Sequence, residues 1–189
     1  MALEIERRFL VPQPGWRRHI RWSRGFAQGY LSARSDGFTL RVRLADGEQG
    51  WLTLKAAPPA SEPASEPASE PCGEASGALA LVRQEFEYAI PADDAEALLA
   101  LAPWQLRKRR HGLDLPGGDW VVDEFEGANA PLVVAEVELP DAATPVVVPP
   151  WCGLEITGRH ELSNAALARH PLANWSETER EGLLGHAMP

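Results

Sequence analysis

The sequence predicts a mainly β, α+β chain, with eight antiparallel strands closing into a barrel and helices packed outside it. Three observations carry that prediction. Segment after segment alternates polar and apolar residues with period two, the mark of strands with two different faces. Tight-turn chemistry, in Ser35-Asp36-Gly37, Asp46-Gly47 and Pro116-Gly117-Gly118, separates many of these segments. Two stretches read as helices. The 189 residues, 44% of them hydrophobic, suffice to bury one core and are read as a single domain over 1–189.

The strands are expected at about 3–11, 26–33, 38–45, 50–56, 80–90, 105–114, 118–126 and 132–139. Each sets one kind of side chain against another: Ile5, Phe9 and Val11 oppose Glu4, Glu6 and Arg8, and Leu40, Val42 and Leu44 oppose Arg41 and Arg43. Between the fourth and fifth strands, 56–78 contains "ASEP" three times over 60–71. Prolines at every fourth position deny a helix or sheet its backbone donors, so this reads as an extended, solvated loop. The stretch "ADDAEALLAL" at 92–101 is a helix with Asp93 and Asp94 in its first turn, where carboxylates complement the dipole. A second helix, "AALARH", is expected to be capped by Asn164, and 170–189 is taken as a C-terminal tail.

Composition excludes several function classes. A net charge of −9 argues against nucleic acid and against an anionic membrane surface, both of which need a basic field. No apolar run suits a leader or a bilayer span, so the expected compartment is the cytoplasm. Cys72 and Cys152 belong to no CxxC pair, which speaks against a disulfide or zinc site. No GxSxG, P-loop or helix-opening GxGxxG is present. The five histidines, His19, His111, His160, His170 and His186, show no metal-ligand spacing and are assigned to surface or loops, with His111 turned away from the charged parity. The seven tryptophans are assigned to the core and to barrel–helix contacts.

The ionic residues are the informative feature. Glu4 and Glu6, Arg41 and Arg43, Glu85 and Glu87, Lys108 and Arg110, and Glu136 and Glu138 form like-charge doublets at i, i+2. Such side chains lie about 7 Å apart on a strand and repel mildly. Acidic doublets suggest hard divalent cations such as Mg²⁺ or Mn²⁺. Basic doublets, supported by Arg8, Lys55 and Arg83, suggest phosphate groups. With Asp123 added, seven acids and seven bases recur across most strands, and the pair suits a metal–polyphosphate complex. A solvated outer face laced with ion pairs would give the same alternation, because alternation does not say which face is inside.

The ordered series "EIERRF", "QGYL", "LRVR", "TLK", "RQEFEY", "RKRR", "VVDEFEG", "VAEVEL" and "PPWCGLEIT" resembles the CYTH domain, or triphosphate tunnel metalloenzyme family, from residue 3 to about 168. The family's ExExK signature falls on Glu4, Glu6 and Arg8, with arginine in place of lysine. The resemblance implies an eight-stranded tunnel in which Glu4, Glu6, Asp123, Glu136 and Glu138 hold metal. It implies that Arg8, Arg41, Arg43, Lys55, Lys108 and Arg110 grip a triphosphate, with Glu85 supporting. At 158–164, "GRHELSN" departs from the family pattern, so Arg159, His160 and Glu161 inherit no role.

The expected reaction is metal-dependent cleavage of a phosphoanhydride, with inorganic tripolyphosphate giving pyrophosphate and orthophosphate. Positioning and electrostatics do most of such chemistry. Glu4 and Glu6 take the side where water is activated, and Lys108 or Arg110 offsets charge on the leaving pyrophosphate. Rival readings are a class IV adenylyl cyclase, a thiamine triphosphatase, and a non-catalytic polyphosphate-binding module. The pattern carries no signal for oligomeric state.

Overall fold

The structure, a computed structural model, describes residues 5–34, 38–56, 84–141 and 144–185. The expected loop at 56–78 and the start of the fifth strand therefore fall almost wholly outside the described residues, as do Glu4 and Arg83.

Eight strands form one antiparallel sheet: β1 (Ile5–Leu10), β2 (Ile20–Ala33), β3 (Thr39–Ala45), β4 (Gln49–Ala56), β5 (Gln84–Ile90), β6 (Trp104–Leu113), β7 (Asp119–Phe125) and β8 (Val133–Leu139). Their order is β1-β8-β7-β6-β2-β3-β4-β5. Among the described residues no backbone pairing joins β1 to β5, so closure of the sheet is not part of this hydrogen-bonding pattern. The sheet is nonetheless curled. Leu10 of β1, Tyr30 of β2, Leu106 of β6, Phe125 of β7 and Val134 of β8 share one apolar cluster. A flat sheet at roughly 4.8 Å per strand would hold β1 and β2 about 19 Å apart.

The outer face is dry for local reasons. Helix α1 (Ala92–Leu101) lays Ala95 and Leu99 on Val42, with Ala27, Leu44 and Leu52 around them. Its close approach depends on glycine: a Cβ at Gly50 would lie 2.6 Å from the Ala95 Cβ, and one at Gly29 would lie 2.7 Å from the Ala102 Cβ. Over the other half of the sheet Trp16, Trp120 and Trp151 are buried with Phe9, Val122 and Val137. Trp120 meets Trp151 edge-on, ring centroids 6.1 Å apart. The hairpin between β3 and β4 turns through Asp46 (φ 50°) and Gly47 (φ 76°), the left-handed pair that a tight reversal requires.

Five details differ from the sequence reading, the first being that Trp22, assigned with the other tryptophans to the core and barrel–helix contacts, is 45% exposed. β2 starts at Ile20 rather than 26, because its first half is held by pairing with β6 and not by an apolar face. Ser163, not Asn164, caps α2 (Asn164–Arg169), its hydroxyl accepting from the Ala166 amide at 3.2 Å. The stretch from 170 contains a further helix, α3 (Glu177–Gly185). His111, assigned to surface or loop, is buried. It faces outward as its parity requires, bonded to Ser23 Oγ at 2.7 Å and to Glu124 Oε2 at 2.8 Å, with its ring 4.9 Å from that of Trp16. No described helix is long and apolar enough to cross a membrane.

Candidate active site

Pairing register puts the described residues of the expected charged face on one side of the sheet, opposite α1 and the tryptophan layer. Glu6 lies across from Glu138, Arg8 from Glu136, Arg110 from Asp123, Arg41 from Thr53, and Lys55 from Glu85. Since directly paired residues point the same way, the like-charge doublets converge on the concave side of the curl. The reading of a solvated outer face is thereby set aside for this half of the molecule: Lys108 is 1% exposed and Asp123 0%, and Arg8 and Glu136 are buried as well.

Two clusters emerge. In the first, on β1, β8, β7 and β6, Arg110 donates from Nε to Asp123 Oδ1 and from Nη2 to Asp123 Oδ2, both at 2.7 Å. Lys108 Nζ reaches Asp123 Oδ2 at 2.5 Å. Glu136 accepts from Arg110 Nη2 at 2.5 Å and from Arg8 Nε at 3.0 Å. Burial alone would raise the Asp123 carboxyl, but the Lys108 and Arg110 cations override it and hold it well below the usual carboxylate range. Burial pushes the Lys108 ammonium down to about 8, against the pull of Asp123. For Arg110 the balance runs the other way, because the Asp123 and Glu136 carboxylates more than offset its burial and raise it.

The second cluster lies on β3, β4 and β5. Glu87 accepts from Arg43 Nη2 at 3.1 Å and from Thr53 Oγ1 at 2.9 Å, and Arg41 Nη2 donates to Thr53 Oγ1 at 3.1 Å. Lys55 Nζ lies 3.1 Å from Glu85 Oε2. Phe26 and Trp51 flank the Arg43 guanidinium, 5.5 and 5.0 Å from their ring centroids. Burial, followed by the neighbouring Arg41 charge, lowers Arg43 from its ordinary value. Two buried donors, Arg41 Nε and Arg43 Nε, have no hydrogen-bond acceptor among the described residues. A buried donor left unmade costs about 1–3 kcal/mol, so this pair calls for an acceptor beyond the described residues.

The carboxylates expected to hold metal divide. Asp123 and Glu136 accept from Arg110, Lys108 and Arg8; Glu6 and Glu138, both exposed, lie across from each other on β1 and β8, and the Glu6 charge also acts on Arg110. Among the described residues no three carboxylate, histidine or cysteine side chains gather as a finished metal site. Opposed carboxylates are nevertheless the hard oxygen donors a divalent cation takes, and such a cation would relieve their mutual repulsion.

The sequence reading missed residues that the C-terminal segment brings in. Leu162 O accepts from both Arg8 Nη1 and Nη2 at 3.3 Å, and Asn164 Oδ1 accepts from Lys108 Nζ at 3.2 Å. Arg24 was missed along with the first half of β2; it stands across from Arg110 on the charged face.

A family model described as the CYTH domain matches residues 2–165. The chain belongs to the CYTH domain family. An inorganic triphosphatase of Acetivibrio thermocellus is 31% identical over 179 residues, covering 94% of this chain and 100% of that protein. One of Nitrosomonas europaea is 34% identical over 170 residues, covering 87% and 96%. The crystal structure of an inorganic triphosphatase superposes with a TM-score of 0.58 at 29% identity, covering 89% of this chain and 95% of the other. As a member of the CYTH family this chain shares the fold, and most of the sequence span, of proteins named for triphosphate cleavage.

Proposed function

We propose that this chain hydrolyses inorganic triphosphate to pyrophosphate and orthophosphate, with a divalent cation, at the inner face of a tunnel formed by the curled sheet. The observation that carries the reading is the pair of buried Nε groups on Arg41 and Arg43 that have no acceptor among the described residues, beside Arg8, Lys55, Lys108 and Arg110 on the same face. Phosphoryl oxygens supply the missing acceptors in the planar geometry that guanidinium groups match best. Two inorganic triphosphatases at 31% and 34% identity over most of the chain support the substrate. The curl that such a tunnel needs draws support from the shared apolar cluster of β1, β2, β6, β7 and β8. A cytoplasmic setting is part of the same reading.

Each residue then has a task. Arg41, Arg43 and Lys55 bind and align the phosphate chain, and Arg8 and Arg110 hold its middle oxygens. Asp123 and Glu136 keep those cations in place and fix their directions. Lys108, in a site with little water, offsets the charge that grows on the leaving pyrophosphate, where a fixed cation counts for more than in bulk solvent. Glu6 and Glu138, with Glu4 two residues earlier in the sequence, would hold Mg²⁺ or Mn²⁺, which neutralises phosphoryl charge and lowers the pKa of water when bound.

The test is a substrate panel of tripolyphosphate, ATP and thiamine triphosphate, with Mg²⁺ and with EDTA. Orthophosphate and pyrophosphate in equal amounts from tripolyphosphate, lost in EDTA, is the expected result. Cyclic AMP from ATP, or thiamine diphosphate as the preferred product, would move the assignment to a cyclase or a thiamine triphosphatase. Tight binding without turnover would leave only a polyphosphate-binding module.

A further inference from the structure

We infer that Asn164, the first residue of α2, is a positioning residue for the reaction, holding the Lys108 ammonium so that its remaining N–H points at the substrate. This rests on the hydrolytic reading above. A lysine ends in a compact charge with three rotatable donors on a flexible stem, so burial alone does not aim it. Here two of the three donors are fixed, one on Asp123 Oδ2 at 2.5 Å and one on Asn164 Oδ1 at 3.2 Å, with the Phe125 ring centroid 5.5 Å from the nitrogen. Tetrahedral geometry at nitrogen then sets the direction of the third.

The wall that carries Asn164 is itself anchored. Ser163 caps α2 through the Ala166 amide, Leu162 and Leu167 are fully buried in the apolar cluster shared by β1, β2, β6, β7 and β8, and Asn129 donates to Leu167 O at 3.2 Å while accepting from the Leu172 amide at 2.9 Å. Two residues before Asn164, the Leu162 carbonyl takes both terminal nitrogens of Arg8. One short segment thus orients two cations from strands on opposite flanks of the first cluster.

The side chain's chemistry is also apt. An amide oxygen accepts from an ammonium without adding negative charge. A carboxylate in its place would compete with phosphate for the same lysine and repel the incoming polyanion.

The experiment compares Asn164→Ala, Asn164→Asp and Arg169→Ala with the wild-type chain in Mg²⁺ and tripolyphosphate. Arg169 lies at the other end of α2, bonded to Ala33 O at 2.6 Å and stacked on Trp104, away from Lys108. Loss of the aim should lower kcat in N164A about tenfold or more while KM moves less than about threefold. N164D, which keeps the acceptor but adds charge, should retain more kcat and raise KM instead. R169A, a measure of simple loosening of α2, should lower the melting temperature and leave kcat and KM alone. The inference is overturned if N164A turns over like wild type, or if N164A and N164D lose kcat and KM alike in proportion to lost stability. A wild-type chain that releases no phosphate would overturn the hydrolytic reading first.

Discussion

Replacing Asp123 by alanine strands two cations at once. Its carboxylate is fully buried and takes both forks of Arg110 at 2.7 Å and the Lys108 ammonium at 2.5 Å. Arg110 keeps Glu136 as a hydrogen-bonded partner, but among the described residues the side-chain acceptor left to Lys108 is the neutral Asn164. Removing one member of a buried ion pair costs about 3–5 kcal/mol, which for a chain of this size lowers the melting temperature by roughly 6–20 °C. The loss should depend on pH, and the sign follows from Lys108. In the unfolded chain this group titrates at 10.5, and in the fold burial has already brought it down to about 8. Between those values the unfolded state binds more protons, so this group makes the native fold gain stability as pH rises. Without Asp123 the native value falls further, and the stranded ammonium can shed its proton below pH 8. The gap between D123A and wild type should therefore be wider at pH 7 than at pH 9. Urea unfolding followed by circular dichroism at both pH values measures it. A gap under about 1 kcal/mol at pH 7, or a gap of constant size, would refute the view that Asp123 is the anchor of a buried cation pair.

Glu6→Ala should abolish Mg²⁺-dependent phosphate release while shifting the melting temperature by no more than a degree or two, since Glu6 is exposed; full activity would remove it from the metal side of the site. Arg41→Met should raise KM for tripolyphosphate by roughly 10- to 150-fold, the worth of one charge-assisted hydrogen bond at about 1.5–3 kcal/mol, and an unchanged KM would detach the orphan guanidinium from the substrate. Gly50→Ala should cost about 1–3 kcal/mol by pushing α1 off β4, because the new Cβ meets the Ala95 Cβ at 2.6 Å and the Ile90 carbonyl at 3.0 Å, and the variant should stay active while folded. Thermal melts with parallel activity assays separate these effects.

Strand number and the faces of the strands were legible because a period-two pattern survives wherever one face is apolar, as in β3 and β8. Trp22, Ser23 and Arg24 break that pattern: all are exposed and none packs on an apolar layer, so only pairing with β6 defines the start of β2. Ser163 and Asn164 are both good caps, and adjacency hid which one caps and which reaches Lys108. Helix α3 did announce itself in "SETE", where Ser176 Oγ accepts from the Glu179 amide at 3.3 Å and Glu179 Oε2 accepts from the Ser176 amide at 2.8 Å, a capping box overlooked among charges. The cations of the candidate site could be named from parity alone. Their acceptors could not, because Leu162 O and Asn164 come from a segment more than fifty residues away in the chain, and no local period encodes that contact.

A crystal structure of the chain soaked with Mg²⁺ and a non-hydrolysable triphosphate analogue would test the central claim most directly. Phosphoryl oxygens should lie within hydrogen-bond distance of Arg41 Nε and Arg43 Nε, with the cation at Glu6 and Glu138. An analogue bound anywhere else, leaving both of those nitrogens without an acceptor, would contradict the account.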